Sequence, residues 1–234
     1  MLFAYLFLSI FIPVTFLFAA SAIFWTLFDS SGRFYAFHAR LWARISLALA
    51  GSHATIRGVE HLPDGPVIFM SNHQSNFDIL ALLALMPRQI HWIAKKELFE
   101  IPVFGPSMRR GGYIPLDRSD GRKALKSMEE AARTIRSGKS VVMFPEGTRS
   151  EDFKLLPFKR GGFMLAARAG VPVVPVTING SGRVNPANRT RIHPGRITIT
   201  LHPALQPEAS LSRNEAETWL MEKVRVAINS KLEL

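Results

Sequence analysis

At the centre of the chain stands the segment Asn72-His73-Gln74-Ser75-Asn76-Phe77-Asp78, in which a histidine and an aspartate lie five positions apart. Residues 66–70 before it are apolar and indicate a short buried strand. Residues 79–85 after it are rich in Leu and Ala and indicate a helix. On one continuous helix the two side chains would point about 140° apart, so a turn must bring them together.

This turn would follow a strand and precede a helix, which is where α/β sheets place ligands. With Ser75 as the N-cap, Asp78 becomes the third helical residue, as in a capping box. Asp78 can then hold one ring nitrogen of His73 and leave the other free to accept a proton.

A simpler interpretation stays open, in which Asp78 only caps the helix and His73 is an ordinary loop residue. A triad with Ser75 as nucleophile is disfavoured, because no nucleophile-elbow glycines flank it.

A second segment, Phe144-Pro145-Glu146-Gly147-Thr148-Arg149-Ser150, follows another apolar strand. The two segments match Asn-His-x-x-x-x-Asp and Phe-Pro-Glu-Gly-Thr-Arg without substitution, and the chain thereby resembles the glycerolipid acyltransferases over roughly residues 54–178. The resemblance implies transfer of a fatty acyl group from acyl-CoA or acyl-acyl carrier protein to the free hydroxyl of 1-acyl-glycerol-3-phosphate, giving phosphatidate. Within that family the alternative acceptors are glycerol-3-phosphate and other lysophospholipids.

The same resemblance implies roles for individual residues. It makes His73 the general base on the acceptor hydroxyl and Asp78 the group that orients it, with direct attack and no acyl-enzyme. It assigns the acceptor phosphate to the turn Glu146-Gly147-Thr148-Arg149. A looser block, residues 111–118, would supply Arg118 as a second phosphate ligand.

The chemistry of these residue types agrees with phosphate binding. A glycine after a strand lets backbone N–H groups approach an anion, and a guanidinium binds phosphate through two parallel hydrogen bonds. Simpler interpretations stay open here too. Glu146 and Arg149 would then form an ion pair with each other, and Arg118 would form one with Asp117 or Asp120.

The pattern of the remaining chain predicts an α/β fold, a single mixed sheet flanked by helices, with an N-terminal helical membrane-anchoring element. Seven apolar runs predict strands at Ala54–Val59, Pro66–Met70, Ile90–Ala94, Gly112–Leu116, Ser140–Phe144, Val171–Ile178 and Arg196–His202. Four helices are predicted between them, at Asn76–Leu85, Gly121–Ser137, Arg160–Ala169 and Leu211–Leu232. Residues 180–194 are predicted to form a polar loop. The chain is expected to divide into membrane-associated helices at residues 1–50 and a catalytic domain at residues 51–234.

The first 28 residues carry no charged side chain. As a helix they would extend about 42 Å, more than the ~30 Å hydrocarbon core of a bilayer. Pro13 allows a kink, so the segment either spans the bilayer or lies in one leaflet. A secretory signal peptide is disfavoured, because no basic residue precedes the apolar run and the run continues to Phe28.

A second helix is predicted at residues 32–50, with Arg33, Arg40 and Arg44 on one side beside Phe37. A basic stripe after an apolar segment predicts contact with anionic headgroups, and a solvated helix face is the alternative. Arginines just after an apolar run lie on the cytoplasmic side as a rule. The expected location is therefore the cell inner membrane, with the catalytic domain on its cytoplasmic side.

The charge distribution indicates an anionic partner. The net charge is +11, and residues 101–196 hold 18 Lys or Arg against 7 Asp or Glu. Membrane lipids and a phosphorylated acceptor fit this excess. Nucleic acid fits less well, because no recognition motif or interleaved aromatic pattern accompanies the charge.

The residue counts also narrow the chemistry. The chain has no cysteine, which rules out a thiolate nucleophile and a Cys-based metal site, and its 7 histidines show no metal-binding spacing. No metal and no cofactor is therefore expected beyond the acyl donor. Two other classes stay open: a lipid-binding module with a degenerate site, and a hydrolase that uses the same His-Asp pair on an acyl ester.

Overall fold

The computed structural model describes residues 1–29, 31–117 and 119–233, so Arg118 lies outside the described residues. One seven-stranded sheet forms its centre, with the strand order β1-β7-β6-β2-β5-β3-β4. The strands are β1 His53–Arg57, β2 Ile68–Ser71, β3 His91–Lys95, β4 Ile114–Leu116, β5 Val141–Met143, β6 Val173–Asn179 and β7 Arg196–Leu201. Every neighbouring pair is parallel except β6 and β7, so the predicted mixed sheet is confirmed.

Helices cover the sheet: α1 Leu2–Trp25, α2 Arg33–Leu49, α3 Phe77–Leu85, α4 Phe104–Arg110, α5 Gly121–Arg136, α6 Arg160–Ala169, α7 Ser181–Val184 and α8 Arg213–Asn229. The predicted strands and helices are all present, with ends shifted by about three residues at most. Two helices were not predicted. The short α4 contains Gly105 and Pro106, which weigh against a helix, and α7 interrupts the predicted loop at residues 180–194.

The central strands are buried on both faces, which explains why their sequences are apolar runs without alternation. In β2, β5 and β6 every residue is buried. This burial is typical of parallel strands covered by helices on both sides. The edge strand β1 alternates between exposed and partly buried residues instead. The buried centre of the sheet therefore carries the turns that follow β2 and β5.

The N-terminal helices pack on each other and on the rest of the chain. The rings of Phe11 and Trp42 meet at 5.7 Å, and those of Trp25 and Phe34 also meet at 5.7 Å, so α1 and α2 run antiparallel. Phe7 of α1 lies 5.9 Å from the ring of Phe77, at the start of α3. Among the described residues, α1 is the helix long and apolar enough to cross a membrane, and it continues through Pro13.

Two arginines of α2 bind the end of α3. The guanidinium of Arg40 donates to the carbonyl of Met86 at 2.7 Å, and that of Arg44 donates to the carbonyl of Ala84 at 3.3 Å. These carbonyls belong to the last turn of α3, which a cation stabilises. Arg40 is therefore only partly exposed, whereas Arg33 and Arg44 of the predicted stripe are exposed. The apolar side chains of Phe34, Phe37 and Leu41 are exposed on the same helix.

Candidate active site

The turn between β2 and α3 brings His73 and Asp78 together, as predicted. Nδ1 of His73 donates to Oδ2 of Asp78 at 2.7 Å, a tautomer that leaves Nε2 of the ring as the basic nitrogen. The His73 side chain is 14% exposed and that of Asp78 is 0% exposed. The histidine thus faces a cavity while its partner is fully enclosed.

The Asp78 carboxylate organises the whole turn. Besides the imidazole, its Oδ2 accepts from the backbone N–H groups of Gln74 at 2.8 Å and Ser75 at 2.9 Å. Its Oδ1 is buried with no hydrogen-bond partner among the described residues. Three donors on one oxygen fix the position of the carboxylate beside the imidazole.

Ser75 has a structural role at this turn. Helix α3 begins at Phe77 with Asn76 at its N-cap, one residue later than predicted. The Ser75 hydroxyl accepts from the N–H of Phe77 at 3.1 Å and donates to the carbonyl of Asn185 at 2.8 Å. Because the carbonyl takes the hydroxyl proton, the hydroxyl is not directed at His73. The geometry gives no support to a serine nucleophile.

Neighbouring strands hold the turn in place from both sides. The side chain of Asn72 donates to the carbonyl of Ile178 at 2.8 Å and accepts from its N–H at 2.7 Å, which ties the turn to β6. On the other side, the N–H of Ser150 donates to the carbonyl of His73 at 2.8 Å. Sequence reasoning found no role for Asn72, because its partner lies 106 residues away in the chain.

The imidazole plane is set by an aromatic stack. The rings of His73 and Phe144 lie 3.8 Å apart with an interplanar angle of 6°. Phe144 in turn stacks on Trp92 at 5.6 Å. Phe144 directly follows β5, which pairs with β2 in the sheet. The two sequence segments therefore meet because their strands are neighbours.

Glu146 ties the two segments together. Its Oε1 accepts from the N–H of His73 at 2.7 Å, and its Oε2 accepts from the N–H of Leu156 at 2.8 Å. Burial raises its pKa to about 6, although both hydrogen bonds oppose the rise. The described residues form no ion pair between Glu146 and Arg149. Glu146 thus lies where it positions His73, and both of its oxygens are occupied by backbone donors.

The raised pKa of Glu146 predicts a pH-dependent contribution to stability. Because the folded pKa exceeds the usual value of 4.5, the folded protein binds more protons than the unfolded chain between pH 4.5 and about 6. This favourable contribution is present below pH 4.5 and is lost as the pH rises through 6. Relative to Glu146→Gln, the free energy of unfolding should fall by roughly 2 kcal/mol over that range. Urea unfolding at several pH values measures it, and parallel profiles for the two proteins would contradict it.

Two cationic side chains, Lys159 and Arg149, lie at the predicted phosphate-binding turn. Gly147 has a φ of +72°, and a Cβ there would lie 3.1 Å from Nζ of Lys159, so this ammonium lies over the glycine. Arg149 donates from Nη2 to Oδ1 of Asn188 at 3.3 Å, a long contact with a neutral group. Thr148 is exposed. Lys159 was not among the predicted site residues, and the structure places it at this turn.

A cavity of about 490 Å³ extends from the α1–α2 pair past His73 to α5 and α6. Its wall is mostly apolar and includes Phe18, Trp42, Leu83, Trp92, Leu116 and Met128. Tyr35, which is buried, and Tyr113, which is partly buried, lie in this wall with ring centroids 5.6 Å apart. Burial raises the pKa of both tyrosines, so both hydroxyls are neutral. The site therefore joins the His73–Asp78 pair, a cationic turn and an apolar cavity.

Comparison with known proteins gives consistent results. A family model described as Acyltransferase matches residues 53–179. A chloroplastic 1-acyl-sn-glycerol-3-phosphate acyltransferase of Brassica napus is 40% identical over 205 residues, which cover 86% of this chain and 59% of that protein. An enzyme of the same name from Pseudomonas aeruginosa is 32% identical over 199 residues, 80% of this chain and 77% of that protein.

A solved structure has the same fold. The crystal structure of the 1-acyl-sn-glycerophosphate acyltransferase PlsC from Thermotoga maritima has a TM-score of 0.83 and 26% sequence identity, and the match covers 98% of this chain and 95% of that one. The chain spans less than two thirds of the length of the plant and algal relatives it matches.

Proposed function

The chain belongs to the acyltransferase family, and on that basis we propose that it transfers a fatty acyl group from an acyl thioester to 1-acyl-glycerol-3-phosphate, giving phosphatidate. The observation that carries the proposal is the His73–Asp78 pair at 2.7 Å beside an apolar cavity. A base beside an apolar cavity fits a reaction between a hydroxyl and a long acyl chain. The names of the relatives support this acceptor.

The proposed reaction is a direct attack. Nε2 of His73 accepts the proton of the acceptor hydroxyl as its oxygen bonds to the thioester carbonyl carbon. The resulting imidazolium is stabilised by the Asp78 carboxylate. As the carbon–sulfur bond breaks, the imidazolium returns the proton to the leaving thiolate, and an ester and a thiol result. The chemistry needs no metal or cofactor beyond the thioester donor, which is acyl-CoA or acyl-acyl carrier protein.

We assign the acceptor phosphate to the turn after β5. Arg149 has a long hydrogen bond to a neutral amide, so a phosphate dianion is a stronger partner for it. The ammonium of Lys159 over Gly147 adds a second positive charge beside the glycine backbone. Arg118 stays a prediction as a further phosphate ligand.

Removing these guanidinium groups should weaken acceptor binding selectively. Arg149→Ala and Arg118→Ala are each expected to raise the KM for the phosphorylated acceptor about 10- to 100-fold, because each removes charge-assisted hydrogen bonds of ~1.5–3 kcal/mol. The KM for the acyl donor should change much less. Steady-state kinetics with each substrate varied in turn measure both effects. Arg213→Ala, on the exposed start of α8, serves as the control. A change confined to donor kinetics would remove these arginines from the acceptor site.

We further propose that the protein is bound to a membrane through α1 and α2. Large apolar side chains are exposed along both helices, among them Leu17, Phe24 and Phe37. Because α1 packs against α2 and Phe77 over its length, we place it in one leaflet with the domain beside it. Arg33 after the apolar run favours the cytoplasmic side of the inner membrane.

An assay of the purified protein with acyl-CoA or acyl-acyl carrier protein, with and without lysophosphatidate, tests the proposed function. Phosphatidate formation that depends on the acceptor is expected. Release of free fatty acid without acceptor would instead indicate a hydrolase. Binding without turnover would indicate a lipid-binding module. Glycerol-3-phosphate and other lysophospholipids, offered at the same concentration, identify the acceptor.

A further inference from the structure

The connection from β3 to α4 consists of a 3-10 helix at Lys96–Glu100 and the turn after it, and it exposes three large apolar side chains within six residues. Leu98 is 39% exposed, Ile101 is 36% exposed and Val103 is 38% exposed. We refer to residues 98–103 as the apolar loop. Single exposed apolar residues are ordinary, but a local cluster marks a contact surface. Phe99 between them is buried beneath the guanidinium of Arg109, 5.3 Å from its ring, and anchors the loop.

The backbone at the tip of this loop is strained around a valine. Val103 has φ +63° and ψ −52°, and the N–H of Phe104 donates to the carbonyl of Pro102 at 2.6 Å, which closes a γ-turn. This region is costly for a β-branched residue and easy for glycine. Folding alone would therefore favour a glycine at this position. The valine side chain is 38% exposed, so part of its apolar surface is available to a partner outside the chain.

The apolar loop lies at the cavity and beside α1. Leu98 lines the cavity together with Phe104 of α4 and Phe18 of α1. Helices α1 and α4 thus border the same cavity from adjacent positions. Apolar side chains of α1 and Leu98 of the apolar loop therefore line the same cavity.

Basic side chains accompany the apolar loop. The first turns of α5 expose Arg122, Lys123 and Lys126 around the exposed Leu125, while Ala124 and Met128 of the same helix line the cavity. Glu97 and Glu100 in the loop region are exposed as well, but residues 95–126 hold eight basic against four acidic side chains. Apolar side chains next to an excess of basic ones match the interface of an anionic bilayer.

We propose that the apolar loop is a second membrane contact, made by the catalytic domain itself, in which Leu98, Ile101 and Val103 enter an anionic lipid surface. The three basic residues of α5 then lie at the lipid phosphates. This inference rests on the proposed membrane association through α1. It holds the cavity against the lipid surface, so that the acyl chain of the acceptor enters the cavity without crossing water.

Site-specific labels test the contact in the full-length protein. Because the chain has no cysteine, Ile101→Cys and Val103→Cys each give one site for a polarity-sensitive fluorophore. Two further labels serve as controls: Val226→Cys, at a position 60% exposed on α8, and Leu17→Cys on α1. With phosphatidylcholine–phosphatidylglycerol vesicles that carry a lipid-borne quencher, labels at positions 17, 101 and 103 should be quenched. The label at position 226 should not be.

The outcomes separate this inference from the one on which it rests. Quenching at position 17 but not at 101 or 103 overturns the second contact and leaves the α1 anchor standing. No quenching at position 17 removes the membrane association, and the second contact with it. A response at position 103 to acyl carrier protein alone, without vesicles, assigns the loop to a protein partner and also overturns the proposal.

Val103→Gly separates a lipid contact from a structural role. Glycine relieves the backbone strain, so the thermal midpoint should stay the same or rise. Loss of the side chain should raise the apparent KM for lysophosphatidate in anionic vesicles about two- to fivefold, and leave it unchanged in detergent micelles. Val226→Ala should have no effect on either KM. An unchanged KM in vesicles for Val103→Gly contradicts the proposal.

Discussion

Replacing His73 with alanine is expected to reduce kcat by about 10²–10⁴-fold, the usual effect of losing a general base. The fold should survive, because the backbone N–H and carbonyl of His73 hold the turn through Glu146 and Ser150, and alanine keeps both bonds. The imidazole itself contributes a stack on Phe144 and the bond to Asp78. Turnover of acyl donor with lysophosphatidate measures the loss, and thermal unfolding measures the fold.

A matched control for this variant is His53→Ala, which removes an exposed histidine at the edge strand β1. Its activity should equal that of the wild type. If His73→Ala retained wild-type turnover, the direct-attack mechanism would be wrong. If His73→Ala lost turnover and also failed to fold, the His73→Gln variant would be measured instead. Glutamine keeps a polar side chain of similar size but is not a base at neutral pH.

The Asp78→Asn variant is expected to lose activity to a similar extent, about 10²–10⁴-fold. One carboxylate oxygen accepts from the His73 ring and from the N–H groups of Gln74 and Ser75. A neutral amide cannot stabilise an imidazolium as a carboxylate does. If its NH₂ group takes the place of the accepting oxygen, it cannot accept these three hydrogen bonds. The free energy of unfolding should also fall, by about 1–3 kcal/mol, since buried hydrogen bonds are lost.

Because Asp78 both supports catalysis and holds the start of α3, its two effects must be separated. Ser212→Ala is the appropriate control, since Ser212 caps α8 through the N–H of Glu215 and lies outside the active site. That variant should lose about 0.5–2 kcal/mol of stability with no loss of kcat. If Asp78→Asn were destabilised like Ser212→Ala but kept its turnover, Asp78 would be a helix cap only.

Local pattern in the sequence was sufficient for most of the fold. The strands were predicted because short runs of apolar and β-branched residues between turn residues indicate buried strands. This signal is contained in a few neighbouring residues. The end of α6 was predicted because Gly170 follows Ala169 and glycine commonly ends a helix. In the structure Gly170 has the left-handed φ of +68° that this role requires. The His73–Asp78 contact was predictable for the same reason, because the two residues lie five positions apart at one turn.

The sequence by itself therefore determined the mixed sheet, the two segments of the candidate site and the contact between His73 and Asp78. Only the tertiary structure decided how these parts meet. The order of the sheet places β2 between β5 and β6, so Glu146 reaches the N–H of His73 across 73 positions of chain, and Asn72 reaches Ile178 across 106. The same holds for the hydrogen bond between Arg40 and Met86. Periodicity reports which face of an element is buried, but the partner of a buried polar group depends on strand order and helix packing, which no local pattern encodes.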